Sequence, residues 1–80
     1  MICFMGRINS DKKILEAFAR RLTTLRQSRR LSQKALAEGA YLDRSYIVRL
    51  EAAERNPTLL VLHDLAKALR TRAEALIKTR

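Results

Sequence analysis

Apolar residues in this chain return every three or four positions, and no segment alternates convincingly with period two. That spacing disfavours half-buried strands and commits the chain to amphipathic helices. From Asp11 to about Ser28, Ile14, Phe18, Leu22 and Leu25 recur at intervals of four, four and three, one stripe along one helix. Arg20, Arg21 and Arg26 lie off the stripe or flank it, and Ser10 or Asp11 is expected to cap its start. Ser32 reads as the N-cap of a short second helix through QKALAE. Asp43 is placed to cap a third, from Arg44 to about Ala53, with Ile47 and Leu50 inward. The single proline, Pro57, ends that segment; Thr58 then caps a fourth helix whose stripe is Leu62, Leu65, Ala66 and Leu69. Thr71 to Glu74 has capping-box spacing and opens a short last helix carrying Leu76 and Ile77. The expectation is an all-α fold of five helices joined by tight turns.

Eighty residues make one small domain with a thin core. With one cysteine, Cys3, an internal disulfide is excluded, which leaves oligomerisation as the readiest source of extra stability. A lone Cys and a lone His build no metal-ligand cluster, so no metal and no cofactor are expected. No apolar run approaches the roughly 20 residues of a membrane span, and the opening MICFM is too short for a signal-peptide core. Residues 1–10 therefore read as a flexible tail, residues 11–80 as the domain, and the protein as cytoplasmic with no membrane partner. Seventeen Lys and Arg against eight Asp and Glu give a net charge of +9, and such an excess favours a polyanionic partner.

The third helix focuses that charge. At 100° per residue, with Ile47 and Leu50 inward, Ser45 and Arg49 point directly away, Val48 and Tyr46 flank them, and Arg44 stands at the helix start. An arginine fork fits guanine, Ser and Tyr can donate to bases or phosphates, and Val48 can meet a thymine methyl. Any solvated helix also shows polar residues outside, so periodicity and charge alone leave both readings open.

Context narrows the choice. Arg26, then Ser32 and Gln33, Leu36 and Ala37, a turn, Ile47, Leu50 and Glu51, then Arg55, Asn56 and Pro57, and finally Leu62 with the run from Leu65 to Leu69 follow one another in order. Together they resemble the helix-turn-helix of the phage-repressor family (Cro-like, XRE-type), over about residues 12 to 78. The fragment LDRSYI and the chain length are most similar to the controller proteins of restriction–modification systems. The resemblance implies a compact five-helix, repressor-like domain binding double-stranded DNA. It implies DNA contact by Gln33, which also braces the recognition helix, with Lys34 counted to the same set. Arg44, Ser45, Tyr46 and Arg49 correspond to base- and phosphate-contacting positions, and Arg55 and Asn56 to a loop gripping the backbone. Arg26 and Glu51 match a structural salt bridge, and are expected to serve stability.

Three positions depart from that pattern. Relatives commonly place glycine where this chain has Arg30, Tyr41 and Ala53, because turns there often need positive φ. Gly39 falls two residues before the expected central turn, where helix is expected. A standard turn at Tyr41 is the expectation, and a displaced path through Glu38 to Tyr41 is the alternative.

His63, between Leu62 and Asp64, reads as a surface histidine, and Lys12, Lys13, Arg20 and Arg21 as a solvated face adding to general phosphate attraction. No Ser–His–acid or Cys–His grouping, glycine-rich phosphate loop or paired-carboxylate pattern is visible, so an enzyme is not expected.

Leu60 and Val61 exceed what one inward stripe needs, and Leu76 and Ile77 add to them. Either these complete the monomer core or, as favoured here, the last two helices form a two-fold dimer interface. A dimer would set two recognition helices in successive major grooves on a near-palindromic operator. The functional expectation is a sequence-specific transcription regulator, repressor or activator, with RNA polymerase as a candidate further partner. The rival is a protein-interaction module such as an antitoxin, with secondary DNA binding; a weaker rival is a non-specific nucleic-acid binder.

Overall fold

The computed structural model describes the backbone of residues 3–77 and the side chains of residues 11–77. Those residues form five helices: α1 (Cys3–Ser28), α2 (Gln33–Gly39), α3 (Arg44–Glu51), α4 (Leu59–Ala68) and α5 (Ala73–Ile77). α2 and α3 pack closely together, α1 lies against both α3 and α5, and α4 sits on α5 and α2. Residues 1–2 and 78–80, and with them the ends of the expected tail and last helix, lie outside the described residues.

The core is almost entirely aliphatic. Leu22, Leu36, Ile47, Leu50, Leu65, Leu69 and Leu76 are fully buried, one or two from every helix, and Phe18 joins them from α1. Each such side chain contributes on the order of 1.5–3 kcal/mol relative to exposure. The α1 stripe holds at Phe18 and Leu22, with Leu25 packed against the core's edge, but Ile14 is half exposed. Ile14 lies one turn before Phe18, the first buried side chain of α1 among the described residues.

Two helices start at the hydroxyl caps expected for them. The Ser32 oxygen accepts from the Ala35 N–H at 3.0 Å, and the Thr58 oxygen from the Val61 N–H at 3.1 Å. Two expected starts differ. α1 begins at Cys3 and runs through Ser10 and Asp11 instead of being capped by them, because no proline interrupts residues 3–11. α5 begins at Ala73, one residue later than a Thr71 cap would set it, and the Glu74 carboxylate lies 3.6 Å from Arg72. Asp43 occupies the N-cap position of α3 with extended backbone, but its side chain makes no capping hydrogen bond.

Four helices end in the same way, with a left-handed residue just past the C-cap: Arg30 (φ 58°), Tyr41 (φ 59°), Ala53 (φ 62°) and Arg70 (φ 56°). Each turn carries the paired hydrogen bonds of a Schellman motif. After α1, Arg30 N–H donates to the Gln27 carbonyl at 2.9 Å and Leu31 N–H to Arg26 at 3.1 Å. After α4, Arg70 N–H donates to Lys67 at 3.1 Å and Thr71 N–H to Ala66 at 2.9 Å, and α2 and α3 repeat the pattern. None of the four is glycine, so each costs roughly 1–2 kcal/mol of backbone strain. Tyr41 thus makes the standard central turn, and the displaced path does not occur. Gly39 instead completes α2, where an added Cβ would meet only the Ala68 Cβ at 3.5 Å.

Candidate nucleic-acid interface

α3 has two chemically different sides, and its place in the fold decides which residue does what. On the inner side Ile47 and Leu50 anchor it, and the next residue, Glu51, is gripped from two elements. Arg26 of α1 donates to Glu51 through Nε at 2.6 Å and Nη2 at 3.2 Å, a two-pronged ion pair. Gln33 Nε2 adds a third bond to the same carboxylate at 3.1 Å, from the first turn of α2. The remaining Arg26 nitrogen, Nη1, donates to the Leu31 carbonyl at 2.8 Å, in the turn between α1 and α2. The Arg26 and Glu51 side chains are only 13% and 7% exposed, which makes this network a joint between three helices. Gln33 is therefore held by α3 as well as holding it, and its side-chain direction is set.

On the outer side the same helix shows Arg44, Ser45 and Arg49 to solvent, with Val48 41% exposed beside them. Tyr46 is half-buried and packs against the core's edge, so its ring is braced while the rest of the face is free. Neither Arg44 nor Arg49 forms an ion pair among the described residues, which leaves both guanidinium forks free to engage a partner.

Flanking elements extend the cationic surface. Arg26, Ser32, Gln33, Lys34 and Arg44 line one open depression where the start of α2 meets the start of α3. Lys34 and Arg44 bring positive charge to its rim, and both are exposed. On the far side of α3, Arg55 and Asn56 are exposed in the loop before Pro57. The fold thus places every sequence-nominated DNA contact on α2, α3 or the loop that follows α3.

The expected dimer surface needs correction. Leu76 is fully buried in the protomer's own core, and Val61 packs against that core, because α5 folds back onto α1 and α4. Leu60 (75% exposed) and Ile77 (51%) do face outward, and Leu59 (79%) joins them, a residue the inward-stripe argument passed over. Its signal was present: Leu59 directly follows the Thr58 cap, outside the Leu62–Leu65–Leu69 spacing. Sequence reasoning also missed Arg29, whose Nε donates to the Leu69 carbonyl at 2.8 Å and ties the end of α1 to the end of α4. Tyr41, 92% exposed in the turn between α2 and α3, was read only for its backbone.

His63 is exposed, and among the described residues no group of three or more His, Cys, Asp or Glu is arranged to hold a metal ion. No described helix is long and apolar enough to cross a membrane.

Comparison with known proteins returns the same architecture. The family model described as Helix-turn-helix (HTH_3) matches residues 22–76. Control protein C.SmaI of Serratia marcescens is 42% identical over 76 residues, covering 95% of this chain and 82% of that protein. The immunity repressor protein of Bacillus phage phi105 is 39% identical over 57 residues, covering 71% of this chain and 40% of the repressor. The crystal structure of the restriction-modification controller protein C.AhdI from Aeromonas hydrophila superposes with a TM-score of 0.76. It is 40% identical, over 78% of this chain and 94% of that one.

Proposed function

The chain belongs to the HTH_3 helix-turn-helix family and is a DNA-binding transcription regulator, and from that premise we propose that it acts as a homodimer on a near-palindromic operator. The observation that carries this reading is the two-sided α3. Its inner side is bonded to α1 and α2 through Glu51, and its outer side presents Arg44, Ser45 and Arg49 to solvent. A helix held this rigidly can carry base-reading side chains into a major groove in a fixed register. Arg44 and Arg49 read bases, with Ser45 and the braced Tyr46 contributing donors. Gln33, Lys34, Arg55 and Asn56 hold the two backbones that border the groove.

The dimer rests on Leu59, Leu60 and Ile77, three large aliphatic side chains left in water by a fold with little core to spare. The likeness to proteins named as restriction–modification controllers supports the same role here: control of expression from a site beside a promoter, with RNA polymerase as the partner affected. Such a role is cytoplasmic and requires no catalysis.

Selection of bound sequences from random DNA tests specificity, symmetry and half-site spacing together. The expected result is a site with two-fold symmetry, half-sites about 34 Å apart, bound at least ~10³-fold more tightly than random duplex. Equal affinity for all sequences overturns the regulator mechanism. A single unrepeated half-site overturns the dimer alone.

A further inference from the structure

Two of the four left-handed helix ends are arginines, and one hydrogen bond links the turns that hold them. Arg30 closes α1 and Arg70 closes α4, both with φ near 57°, at 58° and 56°. The two turns are fastened together by Arg29, whose Nε donates to the Leu69 carbonyl at 2.8 Å, one residue before Arg70. Neither turn, 27–32 or 67–72, contains an acidic residue, and together they carry Arg29, Arg30, Lys67, Arg70 and Arg72. The one nearby ion pair among the described residues, Arg72 with Glu74 at 3.6 Å, is 85% and 74% exposed and neutralises little.

Helix-end electrostatics do not account for this arrangement. A cation in the last turn suits the partial negative charge of a helix end. Arg26 already supplies one in α1 and Lys67 in α4. Placing a further arginine at a left-handed position adds backbone strain that glycine would avoid. The charge is kept at Arg30 and at Arg70 against backbone strain, and each side chain is exposed.

We propose that these paired turns form a second phosphate-binding platform, continuous with the α2–α3 face, that engages duplex DNA flanking the operator. The inference rests on the DNA-binding reading above and extends it. Continuity supplies the direction: Arg30 stands two residues before Ser32, which opens α2 at the depression shared by Lys34 and Arg44. Chain connectivity puts the α1 turn next to the start of α2, and Arg29 links the α4 turn to it. Contacts of this kind add affinity and salt dependence without reading sequence.

The substitutions Arg30→Gly and Arg70→Gly test this cleanly, because they remove charge while relieving backbone strain, so a loss of binding cannot come from unfolding. The site recovered by selection is used in two duplexes, one trimmed to about two helical turns and one with about one further turn on each side. Wild-type protein is expected to bind the longer duplex more tightly, and the double glycine variant to bind both alike, with thermal stability at or above wild type. On the longer duplex the variant's log–log salt slope should be shallower by about 3.6, two contacts from each of two protomers, so the wild-type advantage shrinks roughly 150-fold between about 50 and 200 mM salt. The double variant Arg30→Lys, Arg70→Lys should keep most of that advantage. Equal wild-type affinity for both duplexes, or an unchanged slope in the glycine variant, overturns the platform. A wild-type protein that does not prefer the selected site over random duplex overturns the underlying regulator reading instead, whatever the arginines do.

Discussion

The two sides of α3 hold the same kind of chemistry and use it in opposite ways. On the inner side an arginine is committed: Arg26 spends its donors on Glu51 and the Leu31 carbonyl, and little of either charged side chain reaches water. On the outer side Arg44 and Arg49 are exposed, with no acidic partner among the described residues. The difference is one of location, not residue type. A guanidinium in a crowded joint is stabilising only if each of its nitrogens finds an acceptor, whereas one in solvent keeps its fork available for an incoming guanine or phosphate. The inner network makes the outer face usable, since base readout needs the helix held to within a fraction of an ångström.

The strongest way to break this contrast is to remove one half of the inner pair. Glu51→Ala leaves the Arg26 charge poorly hydrated and releases Gln33, and should destabilise the fold by about 3 kcal/mol or more. Urea denaturation followed by helical circular dichroism would measure it; a loss no larger than that of an exposed substitution would show that the joint is ornamental. The outer side should behave in the reverse sense. Arg44→Ala and Arg49→Ala are expected to leave stability within about 0.5 kcal/mol but to weaken operator binding by about 1–3 kcal/mol, each relaxing specificity at one base pair. Were both to weaken all duplexes alike, α3 would be a phosphate clamp and the recognition reading would fail.

Smaller effects sharpen the contrast at the ends of the helices that build it. Ala53 and Tyr41 hold φ of 62° and 59° on either side of α3. Ala53→Gly and Tyr41→Gly should each raise stability by roughly 0.5–1 kcal/mol, the strain relieved less the extra chain entropy of glycine. A thermal melt decides the sign. Tyr41, nearly all of it in solvent, carries a second question: if Tyr41→Gly stabilises the fold yet weakens DNA binding, the exposed ring belongs to the outer face as well.

Much of this was legible before any fold was known. The three- and four-residue apolar spacing located the buried faces of α1, α3 and α4, and the hydroxyls of Ser32 and Thr58 located two helix starts. Both signals are local, carried within one or two turns of chain. The order of motifs pointed to the family, and the expectation of positive φ at Arg30, Tyr41 and Ala53 matches the backbone. Signals that depend on a distant neighbour read less well. Ile14 obeys the stripe but is half exposed, and Leu76 was counted as surplus although the fold needs it inside. Arg70 went unnoticed as a fourth left-handed end, although it directly follows Leu69, the last residue of its stripe.

By itself the sequence determined that five helices form, where most of them stop, and that the chain carries a strong excess of positive charge. Period, caps and composition act within a helix turn or over the whole chain, and need no knowledge of packing. Apart from the Arg26–Glu51 pair, which the family resemblance implied, only the tertiary structure decided which charges are held and which are free. Arg26 reaches Glu51 across 25 positions of chain, Arg29 reaches the Leu69 carbonyl across 40, and Leu76 finds its place inside only when α5 packs against α1 and α4. Burial and pairing of a side chain are properties of its spatial neighbours, and those are chosen by how the helices pack rather than by their order along the chain.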